Sequence, residues 1–247
     1  MEEKNIYEGE SFFMTGDNEV GILLLHGWTS LPDELLLLAK YLNSFGYTVS
    51  APLLRGHGTK PADLLGVTWK DWFEDSQKAL EELKKHCPKI FVGGISMGGD
   101  LAMLLSEDES IRGIISLGSP IRFHFHTLAK VGLFFMGLFK TYRKKYYPPW
   151  VQKKERHRKV YSSYPVENVK EVIRMVEATE KFLPKVTKPI LIVQSNSDFL
   201  VSNRTPKLIA GGVRSKKKEI FWVKNAFHVF LENREVWEKI RDFIEKI

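Results

Sequence analysis

A chain of 247 residues, of which 43% are hydrophobic and 27% charged, has the length and composition of a globular protein with one α/β domain or two small domains. These values exclude a disordered or a fibrous protein, and the single cysteine, Cys87, excludes an intrachain disulfide. The formal net charge of +7 is concentrated in residues 140–159, which hold nine Lys or Arg and one acid. We interpret this basic segment as a solvated face, and because no nucleic-acid motif accompanies it we expect no nucleic-acid partner.

Neither the N-terminus nor any apolar run predicts a membrane protein. The first residues lack the basic start and apolar core of a signal peptide, so we expect a cytoplasmic location. The longest apolar stretch, Val131 to Phe139, has nine residues, whereas a bilayer span needs about 20. Because basic residues follow it directly, weak contact of this stretch with a lipid surface is an alternative to plain packing. The sequence does not define an oligomeric state.

Hydrophobic patterning predicts strands that alternate with helices along most of the chain. Phe12 and Phe13 offer apolar side chains to an edge strand or a hairpin. Val20–Leu25 is a continuous apolar run, typical of a buried parallel strand, and further strands are predicted at 47–51, 90–92, 113–117, 189–194 and 219–223. Helices are predicted from Ser30 to Gly46, from Thr68 to about 86, after residue 100, and over 236–247. The alternation predicts an α/β fold with a mostly parallel sheet flanked by helices.

The interval 121–184 does not keep this alternation. It is aromatic, basic and partly helical, and Pro148, Pro149 and Pro165 interrupt it. We therefore predict a core formed by residues 1–120 and 185–247, with 121–184 inserted as a small cap over the carboxyl edge of the sheet.

A glycine-rich turn, GGISMGG at 93–99, joins the strand at 90–92 to the following helix. A serine at such a junction is typical of a nucleophile elbow, in which a tight turn exposes the hydroxyl. The flanking Gly94 and Gly98 fit because neighbouring backbones approach too closely for side chains there. Ser96 is therefore a candidate nucleophile, although a serine that only caps the helix would give the same local motif.

Two later residues, Asp198 and His228, decide between these two interpretations of Ser96. A serine hydroxyl needs a base within hydrogen-bond reach, and the base needs a third group that fixes its tautomer. Asp198 and His228 each follow a predicted strand, in the order serine, acid, histidine that α/β hydrolases use. The remaining histidines lack either this order or this kind of loop; they are His26, His57, His86, His124, His126 and His157.

An oxyanion hole requires two backbone donors aimed at the developing negative charge. The N–H of Met97, directly after the nucleophile, is one candidate, and the N–H of Trp28, in the loop after the first core strand, is the other. Neither HxxxH nor HExxH spacing occurs and the lone cysteine cannot form a thiolate site, so we expect no metal and no cofactor.

With these residues identified, the chain resembles the α/β-hydrolase superfamily, and within it the small bacterial and archaeal carboxylesterases related to monoacylglycerol lipases. The resemblance covers nearly the whole length and rests on HGWT at 26–29, Ala51-Pro52 with RGHG at 55–58, the elbow, Asp198 with Val201, and His228-Val229. It implies a catalytic triad of Ser96, Asp198 and His228, an oxyanion hole formed by the amides of Trp28 and Met97, and a cap over an apolar acyl pocket.

The sequence thus predicts a serine carboxylic-ester hydrolase that acts on short to medium acyl esters or monoacylglycerols through a covalent acyl-enzyme. A thioesterase, an acyltransferase, a C–C hydrolase and a cofactor-free perhydrolase are alternatives, because the same fold and triad support many reactions. A non-catalytic scaffold is a third hypothesis, and the intact triad argues against it.

Overall fold

The computed structural model describes residues 9–121, 142–145, 159–224 and 226–247. Its strands, numbered in chain order among the described residues, are β1 Phe12–Met14, β2 Val20–Leu25, β3 Thr48–Ala51, β4 Lys89–Ile95, β5 Ile111–Leu117, β6 Tyr142–Lys144, β7 Ser163–Pro165, β8 Ile190–Ser195 and β9 Lys218–Val223. The helices are α1 Leu36–Asn43, α2 Trp69–Lys84, α3 Met97–Leu104, α4 Val166–Phe182, α5 Thr205–Gly212 and α6 Arg234–Glu245. Short 3-10 helices cover Pro32–Leu35, Pro61–Leu64, Leu105–Glu107 and Leu183–Lys185.

Seven strands form one sheet in the order β1-β3-β2-β4-β5-β8-β9. Six of them run parallel, and β1 pairs antiparallel with β3 at the edge, where Phe12 lies opposite Ala51. The predicted α/β fold with a mostly parallel sheet is confirmed. Because β4 is the central strand of the seven, the turn that follows it lies in the middle of the row of strand carboxyl ends, where open α/β sheets bind ligands.

Apolar side chains cover both faces of the sheet. One core cluster joins the sheet to α2, α3 and α4 through residues such as Leu80, Leu101 and Met175. The other joins it to α1 and α6, for example through Leu38 and Ile240. The strands are therefore buried on both faces, which explains why β2, β4, β5 and β8 are nearly continuous apolar runs.

Two helix starts test the capping signals in the sequence. Helix α2 begins as predicted, since the Thr68 N–H donates to Asp71 Oδ2 at 2.8 Å. The predicted start at Ser30 is wrong. A 3-10 helix over Pro32–Leu35 comes before α1, and its N-cap is Leu31, because a proline without an N–H fits the first helical position that follows.

The described part of the predicted cap consists of the antiparallel pair β6–β7, the segment from residue 159, and α4. Val131–Phe139, most of the basic segment, and His124, His126 and His157 lie outside the described residues. The division into core and cap stays a prediction. Within the described parts of the chain, no helix combines the length and the hydropathy needed to cross a bilayer.

Candidate active site

Ser96 occupies the turn between β4 and α3 in a strained backbone conformation. Its φ and ψ angles are 53° and −119°. Positive φ is uncommon for a residue with a side chain, and such strain concentrates at functional sites. The Ser96 N–H donates to Leu117 O at 2.8 Å, which holds the turn against the end of β5.

The glycines on either side of Ser96 have no space for a side chain. A Cβ built on Gly94 would lie 2.3 Å from the carbonyl carbon of Gly98, and one built on Gly98 would lie 2.0 Å from Leu25 O. Both distances are far below van der Waals contact. The close approach of α3 to β2 therefore requires glycine at these positions, which supports the role predicted for them as elbow glycines.

Asp198 and His228 meet at the same edge of the sheet. His228 Nδ1 lies 2.8 Å from Asp198 Oδ2, which also accepts a hydrogen bond from Gln194 Nε2 at 2.8 Å. The other carboxylate oxygen, Oδ1, accepts the N–H groups of Leu200 at 2.8 Å and Val201 at 2.9 Å. Four donors thus fix the carboxylate, and it in turn fixes the ring of His228.

The surroundings of Asp198 favour its ionised form. Burial alone would raise the pKa of Asp198, but the adjacent His228 and the hydrogen bonds from His228, Val201 and Leu200 outweigh burial and lower it below its ordinary value. Asp198 is therefore an anion at neutral pH and can stabilise a positively charged imidazolium beside it.

The ring of His228 also approaches the strand ends next to Ser96. A Cβ built on Gly118, the residue after β5, would lie 3.5 Å from His228 Cε1. The structure thus joins Asp198 to His228 by a direct hydrogen bond and places Ser96 at the end of β4, next to β5. Among the described residues, no hydrogen bond involves Ser96 Oγ. Hydrogen bonds of this kind are often long or misaligned before substrate binds.

Two backbone N–H groups near Ser96 are available as donors. Met97 is the first residue of α3, so its N–H has no acceptor within the helix, and the helix N-terminus favours negative charge. In the loop after β2, the Trp28 N–H donates to none of the described residues. This loop borders the elbow, because a Cβ built on Gly27 would lie 3.7 Å from Ser96 Cβ.

The side chain of Trp28 is anchored to α4 and β7. Its Nε1 donates to Asn168 Oδ1 at 2.7 Å, and its ring centroid is 4.9 Å from that of Tyr164. Asn168 Nδ2 donates in turn to the carbonyl oxygens of Leu64 at 3.0 Å and Val67 at 2.9 Å. The contact of Asn168 with Trp28 could not be predicted from the sequence, because Asn168 is 140 residues from Trp28 and belongs to no local motif.

The backbone of the loop that carries Trp28 is also bound by residues outside the predicted site. The Gly27 N–H donates to Glu34 Oε1 at 2.7 Å, and the Thr29 N–H donates to His57 Nε2 at 2.9 Å. The Tyr161 N–H donates to Thr29 O at 2.9 Å. His57 belongs to the RGHG segment, which is the only signal in the sequence that marks its loop.

The described residues contain no group of three or more His, Cys, Asp or Glu side chains that could hold a metal ion. Cys87 is a buried free thiol.

Comparison with known proteins agrees with this geometry. Residues 17–235 match the family model described as serine aminopeptidase, S33. The chain is 29% identical over 229 residues to the thermostable monoacylglycerol lipase of Bacillus sp. (strain H-257), covering 92% of this chain and 90% of that one. It is 26% identical over 239 residues to a carboxylesterase of Bacillus subtilis (strain 168), covering 95% of each.

Solved structures of lipolytic enzymes are also similar to this chain. A structure described with LipS and LipT, two metagenome-derived lipolytic enzymes, matches with a TM-score of 0.87 and 30% identity, covering 96% of this chain and 98% of that one. The monoacylglycerol lipase of Paleococcus ferrophilus matches with a TM-score of 0.77 over 95% of each chain, and at 17% identity this likeness concerns the fold alone. Since the family model spans most of the chain, including Trp28, Ser96, Asp198 and His228, the chain belongs to the serine aminopeptidase S33 family of α/β hydrolases.

Proposed function

We propose that the protein is a serine carboxylic-ester hydrolase of the carboxylesterase or monoacylglycerol lipase type, with Ser96, His228 and Asp198 as its triad. The observation that carries the proposal is the 2.8 Å hydrogen bond between Asp198 Oδ2 and His228 Nδ1, at the sheet edge where the strained Ser96 lies. A carboxylate that orients a histidine beside an elbow serine is the arrangement that activates a hydroxyl nucleophile.

In the first half-reaction Ser96 Oγ attacks the acyl carbonyl carbon while His228 Nε2 takes the hydroxyl proton. The electron pair of the carbonyl π bond moves onto oxygen, and the N–H groups of Trp28 and Met97 bind that oxyanion. Collapse of the tetrahedral intermediate breaks the bond to the alcohol, which leaves with the proton returned by His228. A water molecule then repeats the sequence on the acyl-enzyme, with His228 as base, and releases the acid.

Asp198 acts through His228. Its oxygen Oδ2 accepts the Nδ1–H of the ring, which directs Nε2 toward the serine and stabilises the imidazolium that forms during attack. Because its pKa is lowered, Asp198 stays ionised throughout the neutral range in which an esterase operates.

The substrate class follows from the relatives. One similar protein is named a monoacylglycerol lipase and another a carboxylesterase, so we propose small-molecule acyl esters, including monoacylglycerols, with short to medium acyl chains. The family description names an aminopeptidase, and the same triad serves thioesterases, acyltransferases and C–C hydrolases. Competition of esters, monoacylglycerols, acyl-CoA and aminoacyl amides, compared by kcat/KM, separates these activities.

Weak contact of the cap with an anionic lipid surface, through Val131 to Phe139 and the basic residues that follow directly, is a further part of the proposal. Arg143 and Lys144, from the described part of the basic segment 140–159, are exposed. Addition of anionic liposomes should raise the activity on monoacylglycerols, and an unchanged rate would remove this contact from the proposal.

The triad is tested by covalent labelling. We expect a fluorophosphonate to label the wild-type protein once, at Ser96, and to abolish hydrolysis of p-nitrophenyl esters. Ser96→Ala should abolish both labelling and hydrolysis, whereas Ser197→Ala, a matched control next to Asp198, should keep both. A wild-type protein that is neither labelled nor active on a broad ester panel would refute the proposal.

A further inference from the structure

We propose that His57 and Glu34 are positioning residues for the oxyanion hole: they aim the Trp28 N–H at the reacting carbonyl by accepting the backbone N–H groups on either side of it. The inference rests on the proposed function, since it assigns roles within the site that Ser96, Asp198 and His228 form. It concerns two side chains that lie outside the triad.

The peptide after Trp28 is held by His57. Thr29 has a φ of 63°, a conformation that costs free energy for a residue with a side chain and persists only where its surroundings enforce it. The Thr29 N–H donates to His57 Nε2 at 2.9 Å. On the other side of the ring, Nδ1 faces the carbonyl oxygens of Leu54 and Arg55, each at 3.1 Å. Nδ1 therefore carries the hydrogen, and Nε2 is left as an acceptor.

The environment of His57 keeps this acceptor available. Burial lowers the pKa of His57 well below its ordinary value, and the neighbouring His26 and Lys145 lower it further. A neutral ring retains the lone pair on Nε2, whereas a protonated ring would oppose a second N–H to that of Thr29. The ring also stacks on Tyr161 at an interplanar angle of 2° and a centroid distance of 6.3 Å, and the Tyr161 N–H donates to Thr29 O.

The peptide between His26 and Gly27 is held by Glu34. The Gly27 N–H donates to Glu34 Oε1 at 2.7 Å, a charge-assisted hydrogen bond. A Cβ built on Gly27 would lie 3.4 Å from Glu34 Oε1 and 3.7 Å from Ser96 Cβ, so the carboxylate fixes the loop beside the nucleophile. With both neighbouring peptides fixed, the Trp28 N–H between them has a defined direction.

Loss of this alignment should weaken binding of the oxyanion in the transition state and leave binding of the substrate nearly unchanged. A donor aimed at the oxyanion contributes little to binding of the planar ester, and removal of one such donor costs about 10² to 10³ in kcat. A donor that is present but misaligned should cost less, on the order of 10-fold to 100-fold, with KM nearly unchanged.

The test compares variants that remove each acceptor with variants that keep it. His57→Phe and Glu34→Ala remove the acceptors, whereas His57→Gln and Glu34→Gln place an amide oxygen where Nε2 or Oε1 was. Asp33→Ala is the matched control, because Asp33 lies beside Glu34 on the same 3-10 helix and pairs with Lys159 at 2.8 Å. For each variant, kcat and KM on a p-nitrophenyl ester are measured, together with Ki for a trifluoromethyl ketone that forms an anionic adduct with Ser96.

We expect His57→Phe and Glu34→Ala to lower kcat about 10-fold to 100-fold and to raise Ki by a similar factor, with KM within about threefold. The two Gln variants and Asp33→Ala should stay within about threefold of wild type in both kcat and Ki.

If His57→Phe does not fold, the comparison of Glu34→Ala with Glu34→Gln and Asp33→Ala decides the outcome. Wild-type kcat and Ki in Glu34→Ala, or losses in kcat without a change in Ki, would overturn the inference while leaving the triad intact. A wild-type protein without esterase activity would overturn the proposed function instead, and the inference with it.

Discussion

Asp198 is the residue whose exchange tests the orientation of His228 most directly. Asp198→Asn keeps the shape of the side chain and an oxygen for the N–H groups of Leu200 and Val201, but it can place an amide N–H opposite the His228 Nδ1–H. The ring is then favoured in the tautomer with its hydrogen on Nε2, which cannot take the proton of Ser96. We expect kcat to fall by about 10³ to 10⁴, measured by ester hydrolysis, and thermal unfolding serves to verify that the variant is folded. A loss below about tenfold would contradict the assignment of Asp198 as the residue that orients His228.

Two glycines, Gly98 and Gly211, offer a contrast between packing and chain entropy. Gly98→Ala would place a Cβ 2.0 Å from Leu25 O, which must push α3 away from β2, whereas a Cβ on Gly211 in α5 meets nothing within 4 Å. We expect Gly98→Ala to lower the free energy of unfolding by about 1–3 kcal/mol or more and to reduce kcat. Gly211→Ala should raise it by about 0.5–1 kcal/mol and leave kcat unchanged. Urea unfolding and ester hydrolysis measure both effects, and equal stability of the two variants would contradict the close packing at the elbow.

Helix α3 is the element that carries the elbow, and it buries a carboxyl group four residues after Ser96. Asp100 is completely buried, and neither of its carboxyl oxygens has a hydrogen-bond partner among the described residues. Burial raises the pKa of Asp100 well above its ordinary value of 3.8. The group is therefore protonated in the folded protein over a pH range in which it is ionised in the unfolded chain.

This difference gives a signed prediction for α3. Between pH 3.8 and the raised pKa of Asp100 in the folded state, the folded protein holds a proton that the unfolded chain has released, so the contribution of Asp100 to stability declines as the pH rises. We expect Asp100→Asn to remove this decline and to raise the free energy of unfolding at pH 8 by on the order of 1–3 kcal/mol. Asp108→Asn, which removes a carboxylate paired with Lys84 at 3.0 Å, should lower stability instead. Urea unfolding at pH 5 and pH 8 measures both variants, and a less stable Asp100→Asn at pH 8 would contradict a raised pKa of Asp100.

At the scale of the molecule, local signals in the sequence predicted the fold, which the structure confirms, and indicated Ser96, Asp198 and His228 as a candidate triad. The strands are continuous apolar runs, Ser96 lies between glycines at a strand end, and Asp198 and His228 follow strands whose carboxyl ends a parallel sheet brings to one edge. The residues that bind the loop carrying Trp28 could not be predicted in this way. His57 is 28 residues from Thr29 and Asn168 is 140 residues from Trp28, and such contacts leave no periodic pattern in the chain. Helix α4 was not predicted as a separate helix, because it follows a basic segment that prolines interrupt.

The buried pair His26 and His57 makes the stability of the folded protein sensitive to acid. His26 and His57 are buried with ring centroids 4.8 Å apart, and burial lowers the pKa of both below the ordinary value of 6.5. Below pH 6.5 the unfolded chain binds protons at these positions more readily than the folded protein does, so the contribution of the two histidines to stability falls as the pH falls, whereas that of Asp100 rises. Asp198 adds to this loss only near and below its unfolded pKa of 3.8.

Between pH 7 and pH 5 we therefore expect the two histidines to lower the free energy of unfolding as the pH falls, each by up to about 1.4 kcal/mol per pH unit, while Asp100 offsets part of this loss. His57→Gln removes one titrating ring, so the stability of this variant should fall less steeply with acid than that of the wild type, by up to about 1.4 kcal/mol per pH unit. Urea unfolding at pH 7, 6 and 5 measures the slope in both proteins. A slope that is the same in wild type and His57→Gln would mean that His57 is protonated in the folded protein, which would also remove the acceptor that holds the Thr29 N–H.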